Sequence, residues 1–295
     1  MPNNRKRRSH IKIVFATILG CLTIGVITLF ICQILFPRIN ITTKLTDNNQ
    51  NTIIVKAEEP AKPLNPTLID PNLPQATSLP ILMYHFFYDS ATGGTGEDGN
   101  WIDAKTFDEQ MKYLVDNKYY FPTWDEVDKF IAGEISLPEN SIVITADDGN
   151  PTFFNLAVPI LTKYDVPATS FLITSWTDPK NVTTNKDLIT FMSHSHAMHK
   201  GGCEGGKGGL FRCLDRDKAI TDLKTSREII SGGEVFCYPF GDYTDQSVQE
   251  LKEAGFKIAV TTEYGKAEPG MNPLLLPRIR ISQNTNLTSF INALE

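Results

Sequence analysis

The sequence predicts an α/β domain with a parallel sheet. Three observations carry that expectation. Apolar runs of strand length alternate with helical patterns from Pro80 onward. Runs such as Ile142-Val-Ile144 are continuous and β-branched, as in strands buried on both faces. About 215 residues remain after Pro80, enough for one barrel-like domain.

In chain order, a strand at Ile81–Met83 leads into helices at Ala104–Asn117 and Trp124–Ala132. A strand at Ile142–Ile144 leads into a helix at Thr152–Tyr164. Strands at Thr169–Ile173 and Leu188–Met192 precede a helix at Arg216–Ser231. A strand at Val235–Tyr238, a helix at Thr244–Ala254 and a strand at Lys257–Thr261 complete the series. No internal repeat is present.

The chain has 295 residues, and its start has a different character. Residues 1–12 carry Arg5, Lys6, Arg7, Arg8 and Lys12. Ile13 to Phe36 is apolar and uncharged, long enough to span a bilayer as one helix, and the basic residues before it place the N-terminus in the cytoplasm. A cleaved signal peptide is the alternative; the span exceeds a usual signal core, and no clear small-x-small site follows Phe36. Residues 37–79 are polar, with Pro60, Pro63, Pro66, Pro71 and Pro74, and read as an extended extracytoplasmic linker to a catalytic domain at 80–295. Without its five leading basic residues the chain has 23 basic against 34 acidic residues, about −11, which argues against a nucleic-acid ligand.

The chemistry-bearing residues lie at strand ends. Asp147 and Asp148 follow the Ile142–Ile144 run and precede Gly149. Two adjacent carboxylates where a sheet meets solvent need a positive partner or a retained proton. Alternation of a strand separates their directions, so one is free to bind a metal while the other acts as a base. A plain Asp-Asp-Gly turn is the bland alternative. His194, His196 and His199 follow the strand at Leu188–Met192. Three imidazoles in six residues, with a carboxylate from a neighbouring strand end, form a donor set for zinc or a similar divalent ion.

Thr145-Ala-Asp-Asp-Gly149 resembles the Thr-Phe-Asp-Asp-Gly motif of the polysaccharide deacetylases, the carbohydrate esterase family that includes nodulation-factor and peptidoglycan deacetylases. Ser193-His-Ser-His-Ala-Met-His199 is similar to its second motif. The resemblance implies a distorted, incomplete β/α barrel, a catalytic base at Asp147, and metal ligation by Asp148, His194 and His199. Many members space the two histidines four apart; here Met198 holds that place. The wider spacing resembles the branch that deacetylates exopolysaccharides such as poly-N-acetylglucosamine. His196 then falls between the ligands, outside the ligand set.

Two features depart from the common pattern. Cys237-Tyr-Pro-Phe-Gly241 has a cysteine where the family motif has arginine, and no histidine follows His199. In the exopolysaccharide branch an early Met-Tyr-His segment supplies the general acid, which implies His85 here; a histidine that merely closes a strand is the alternative. The implied reaction is metal-dependent hydrolysis of N-acetyl groups on an N-acetylglucosamine-containing polysaccharide at the cell surface. A non-catalytic glycan-binding protein on the same fold, or a metal-dependent amidase of a non-polymer substrate, are the competing classes. No Gly-x-Ser-x-Gly supports a serine esterase.

Cys203 and Cys213 bracket a loop with four glycines, and a disulfide there suits an exterior domain; zinc binding by them is the weaker reading. Cys21 and Cys32 lie in the apolar span and read as small apolar residues. Phe86, Phe87, Tyr88, Trp101, Tyr238 and Phe240 are candidate sugar platforms, although most aromatics are core residues. Arg278 and Arg280 share one face of a strand by alternation; one of them holding Asp147 ionised, or a salt-bridged surface strand, are the alternatives.

Overall fold

The computed structural model describes residues 74–183 and 187–295. The expected basic segment at 1–12, the membrane span at 13–36 and nearly all of the linker lie outside the described residues. Among the described residues no helix is long and apolar enough to cross a membrane.

Among these residues nine strands are present: β1 (Ile81–Tyr84), β2 (Phe86–Tyr88), β3 (Trp101–Asp103), β4 (Val143–Ala146), β5 (Ala168–Leu172), β6 (Ile189–Ser193), β7 (Val235–Cys237), β8 (Ile258–Tyr264) and β9 (Leu276–Arg280). Six α-helices accompany them: α1 (Ala104–Asp116), α2 (Trp124–Ile131), α3 (Val158–Tyr164), α4 (Arg216–Ile229), α5 (Asp245–Ala254) and α6 (Leu287–Leu294). Seven strands form one parallel ring in the order β1-β4-β5-β6-β7-β8-β9, and β2 pairs with β3 separately. β9 returns to β1 through Leu82↔Ile279 and Met83↔Arg280.

A regular β/α barrel has eight strands. Here there are seven, unevenly joined: β6 meets β7 at Ser193↔Phe236 alone, and β8 and β9 change register between Val260 and Tyr264. This is the distorted, irregular parallel barrel the sequence led us to expect. Residues of β1, β4, β5 and β7 are buried throughout, as in strands covered on both faces, with Thr145, Thr169 and Ser170 as the polar members. Phe107, Met111 and Leu114 of α1 and Leu161 of α3 pack on Leu82 and Ile144 in the largest core cluster. Each such side chain contributes roughly 1.5–3 kcal/mol by leaving water.

The six expected strands and five expected helices are found within a few residues. The helix expected at Thr152–Tyr164 is composite: a π-turn at Phe153–Ala157 runs into α3. Pro159 has no N–H to donate, and the ladder changes type beside it. β2, β3 and α6 were not separated in the sequence. Three-residue strands show no alternation, and α6 is one short helix. Before Pro80, Gln75 bridges Pro138 and Leu79 bridges Ala267.

Candidate active site

His85, Asp147, Asp148, His194 and His199 all line one cleft of about 360 Å³ at the carboxyl ends of the ring strands. β1 delivers His85, β4 the two aspartates, and β6 the histidines. A parallel barrel aims this end of every strand at the same mouth.

The two aspartates face different partners, as alternation requires, yet both reach the cleft. Asp147 directly follows β4, and its backbone N–H donates to the Tyr84 carbonyl at 2.9 Å. Asp148 then turns into the left-handed region, with φ 73°, and Gly149 follows at φ 65°. A Cβ on Gly149 would come within 2.6 Å of Leu172 Cδ2, so a side chain there would both strain the backbone and displace that leucine methyl.

Asp147 is buried and clamped. Arg278 Nη1 and Nη2 donate to its two oxygens at 2.7 Å each, a bidentate charge-assisted pair. Burial opposes its ionisation, but the Arg278 guanidinium outweighs burial and holds the carboxyl well below the usual carboxylate range. The Cys237 thiol, pushed up by burial, stays protonated and donates to Asp147 Oδ2 at 3.4 Å. Arginine is therefore supplied to Asp147 by β9 rather than by the motif on β7. Of the two readings of Arg278 and Arg280, the surface strand fails for Arg278, which is fully buried.

Asp148 Oδ1 lies 3.3 Å from His194 Nε2 and 3.4 Å from His199 Nε2. That oxygen is buried and has no hydrogen-bond partner. One carboxylate oxygen and two imidazole nitrogens, all within 4.8 Å of one another, fit a divalent cation by chemistry and proximity. The Cys237 carbonyl lies 2.8 Å from His194 Nδ1, which turns Nε2 toward Asp148, an orientation typical of ligating histidines. Burial and the neighbouring His194 lower His199 to about 4, so it is a neutral donor near pH 7. Asp147, His194 and Cys237 also lie close together. They make a poor cation site, because a buried guanidinium already occupies both oxygens of Asp147.

His85 Nε2 lies 3.7 Å from Asp147 Oδ2. Its Nδ1 is buried without a partner. Burial lowers its pKa, while Asp147 and Asp148 pull in the opposite direction.

His196 stands apart from the triad. Its Nδ1 is 3.0 Å from Thr174 Oγ1, and the backbone N–H groups of His196 and Ala197 donate to the Asp222 carboxylate of α4 at 2.7 and 2.8 Å. Met198 is buried in a cluster with Phe211 and Phe236. The five-residue spacing thus lets Met198 anchor the loop while His194 and His199 face the cleft. The Cys203–Cys213 disulfide forms, with a Cα–Cα distance of 5.8 Å.

The candidate aromatics divide. Phe87 is a core residue, and Tyr238 is buried at the wall of the cleft. Phe86 and Phe240 line the cleft, and Phe240 stacks on His199 with centroids 4.5 Å apart. Trp101 packs on Phe86 at 5.2 Å. Trp176 was missed by the sequence reading. It is 65 % exposed and sets its ring edge-on to His199 at 5.8 Å. Its position just beyond β5, at the same end as the other site residues, is the signal that marks it.

Comparison with known proteins places this cleft in context. Residues 134–259 match the family model described as polysaccharide deacetylase. The chain is 26% identical over 246 residues to Bacillus subtilis YxkH, whose name assigns it to the polysaccharide deacetylases; the match covers 80% of this chain and 77% of that one. It is 28% identical over 202 residues to the poly-β-1,6-N-acetyl-D-glucosamine N-deacetylase of Staphylococcus aureus strain MRSA252, covering 62% and 68%. Among solved structures, the Streptococcus pyogenes deacetylase PplD in complex with acetate superposes with a TM-score of 0.63 at 26% identity, covering 75% of this chain and 99% of that one. Fold, motif-bearing strand ends and relatives agree: the described domain is a polysaccharide deacetylase domain.

Proposed function

We propose that the cleft hydrolyses the N-acetyl amide of N-acetylglucosamine units in a polysaccharide. The observation that carries this reading is the pairing of an arginine-clamped Asp147 with the Asp148, His194 and His199 donor set in one cleft. The named relatives that act on poly-β-1,6-N-acetyl-D-glucosamine support the substrate class.

Asp148, His194 and His199 are the ligands in this reading, and zinc suits one carboxylate and two imidazoles. A bound divalent ion supplies a water of lowered pKa and polarises the acetyl carbonyl, which is what a base as weak as Asp147 requires. Asp147 accepts the proton of the attacking water at Oδ2. His85 Nε2, 3.7 Å away, gives that proton a short path to the leaving nitrogen. Arg278 keeps Asp147 ionised and immobile before the step. Phe86, Phe240 and Trp176 offer ring faces to the sugar.

The protein should release acetate from poly-N-acetylglucosamine, peptidoglycan or another acetylated glycan, and chelator should abolish the release. A protein that releases none from any of them, with its metal bound, contradicts the reading.

We also place the domain outside the cytoplasmic membrane, tethered by an uncleaved helix over 13–36. The uncharged run, the basic residues before it and the Cys203–Cys213 disulfide support this topology. Protease added to wall-stripped cells should digest the domain. Protection until the membrane is lysed would refute the placement.

A further inference from the structure

Two cations, Lys207 and Arg280, line the same cleft as the metal-ligand triad. In the ring order, Asp148 and the histidines follow β4 and β6, so the triad centres on β5. Across the ring from β5 are β8 and β9. Arg280 is the last residue of β9, and Lys207 reaches Thr262 on β8. Both cations line the cleft.

Each is held by neutral groups. Lys207 Nζ donates to Thr262 Oγ1, and Arg280 Nη2 donates to Asn100 Oδ1. Among the described residues neither makes an ion pair, and Asp98 connects to Arg280 only through the Asn100 amide. The other carboxylates of the cleft have their own partners: Asp147 is paired with Arg278, and Asp148 lies beside the His194 and His199 imidazoles.

Lys207 is held in place by its backbone. It sits in the loop closed by the Cys203–Cys213 disulfide. The backbone N–H groups of Lys207 and Gly209 donate to Asp242 Oδ2 at 2.9 and 3.1 Å, and Arg212 Nη1 donates to Oδ1 at 3.3 Å. Asp242 is buried, so the carboxylate is consumed in anchoring the loop and does not neutralise the lysine side chain. In a chain of net charge −6, two cations without acidic partners at the cleft mouth mark where an anion is received.

We propose that Lys207 and Arg280 select glycans that carry a carboxylate on the sugar next to the N-acetylglucosamine being deacetylated. This rests on the deacetylase reading and adds to it a substrate class. The acetyl group is held over the triad, and the neighbouring residue extends across the mouth toward β8 and β9. Contacts to the neighbouring sugar, rather than to the reacting amide, act equally on bound substrate and transition state, so they lower KM rather than raise kcat.

The test compares two substrates on the metal-loaded full-length protein: a β-linked N-acetylglucosamine oligosaccharide with one lactyl carboxylate, and the same oligosaccharide with that group as its methyl amide. The acid should be used with about tenfold higher kcat/KM, carried by KM, as two partly exposed ion pairs allow. The preference should shrink as salt is raised. Lys207→Gln combined with Arg280→Gln should bring the ratio close to one, and Lys207→Glu should reverse it. Equal use of both substrates by the wild-type protein overturns the proposal while deacetylation stands. A preference that survives in the double variant overturns the assignment to these residues. No acetate from either substrate overturns the deacetylase reading itself.

Discussion

Asp147→Asn lowers kcat by about 10²–10⁴ and leaves divalent metal bound, because it removes the proton acceptor and none of the three ligands. The substitution has a second effect that must be separated from the first. Arg278 is fully buried, and a neutral amide in place of the carboxylate would leave its charge uncompensated, a change that costs about 3–5 kcal/mol in buried pairs. Asp147→Asn combined with Arg278→Met removes both charges. If the base role is correct, the double variant recovers stability and still fails to turn over. Metal content, thermal melting and kcat are measured on the same preparations. Wild-type turnover in a folded, metal-loaded Asp147→Asn protein would move the base elsewhere.

Arg278→Met alone has an expected effect on both stability and pH dependence. It leaves Asp147 buried without its partner, so stability near pH 7 falls by about 3–5 kcal/mol. The sign with pH follows from the direction of the shift. In the wild type the Asp147 carboxyl is held below its unfolded value. Its contribution is therefore fully present above the unfolded pKa, about 3.9, and is lost as pH falls through the lower folded value. In Arg278→Met the main opposition to burial is gone, only the pull of His85 and His194 remains, and the carboxyl rises. The acid limb of kcat/KM then moves to higher pH, because the base is protonated sooner. Denaturant unfolding at neutral and acidic pH, with a pH–rate profile, checks both. An acid limb that does not move would show that Arg278 does not set the state of Asp147.

Much of the site was legible because its residues sit next to strand patterns. Asp147 and Asp148 follow a β-branched run, and His194 and His199 follow another strand, so a parallel barrel had to bring them to one end. His85 was legible only through the family resemblance, since one histidine beside a strand carries no signal of its own. Arg278 was harder to place. It is 131 residues from Asp147, and only the closure of β9 on β1 brings the two together. Alternation put Arg278 and Arg280 on one face but gave no depth: one is buried in the barrel and the other is at its mouth. The identity of Cys237 disguised the same feature, because the guanidinium that the β7 motif lacks arrives from β9. Lys207 was hidden in a glycine-rich loop whose course depends on a distant carboxylate, Asp242. β2 and β3 were missed because three residues do not display a period.

The most direct test of the central claim is a metal titration of acetate release. Protein stripped with chelator is given zinc in steps, and bound metal and released acetate are measured together on poly-N-acetylglucosamine. Activity should rise in proportion to bound metal and level off at one equivalent. Asp148→Ala should bind little metal and release little acetate, while Asp147→Asn combined with Arg278→Met should bind the full equivalent and release little. Acetate release by the wild type that is unchanged between the stripped and the loaded protein would contradict a catalytic centre built on Asp148, His194 and His199.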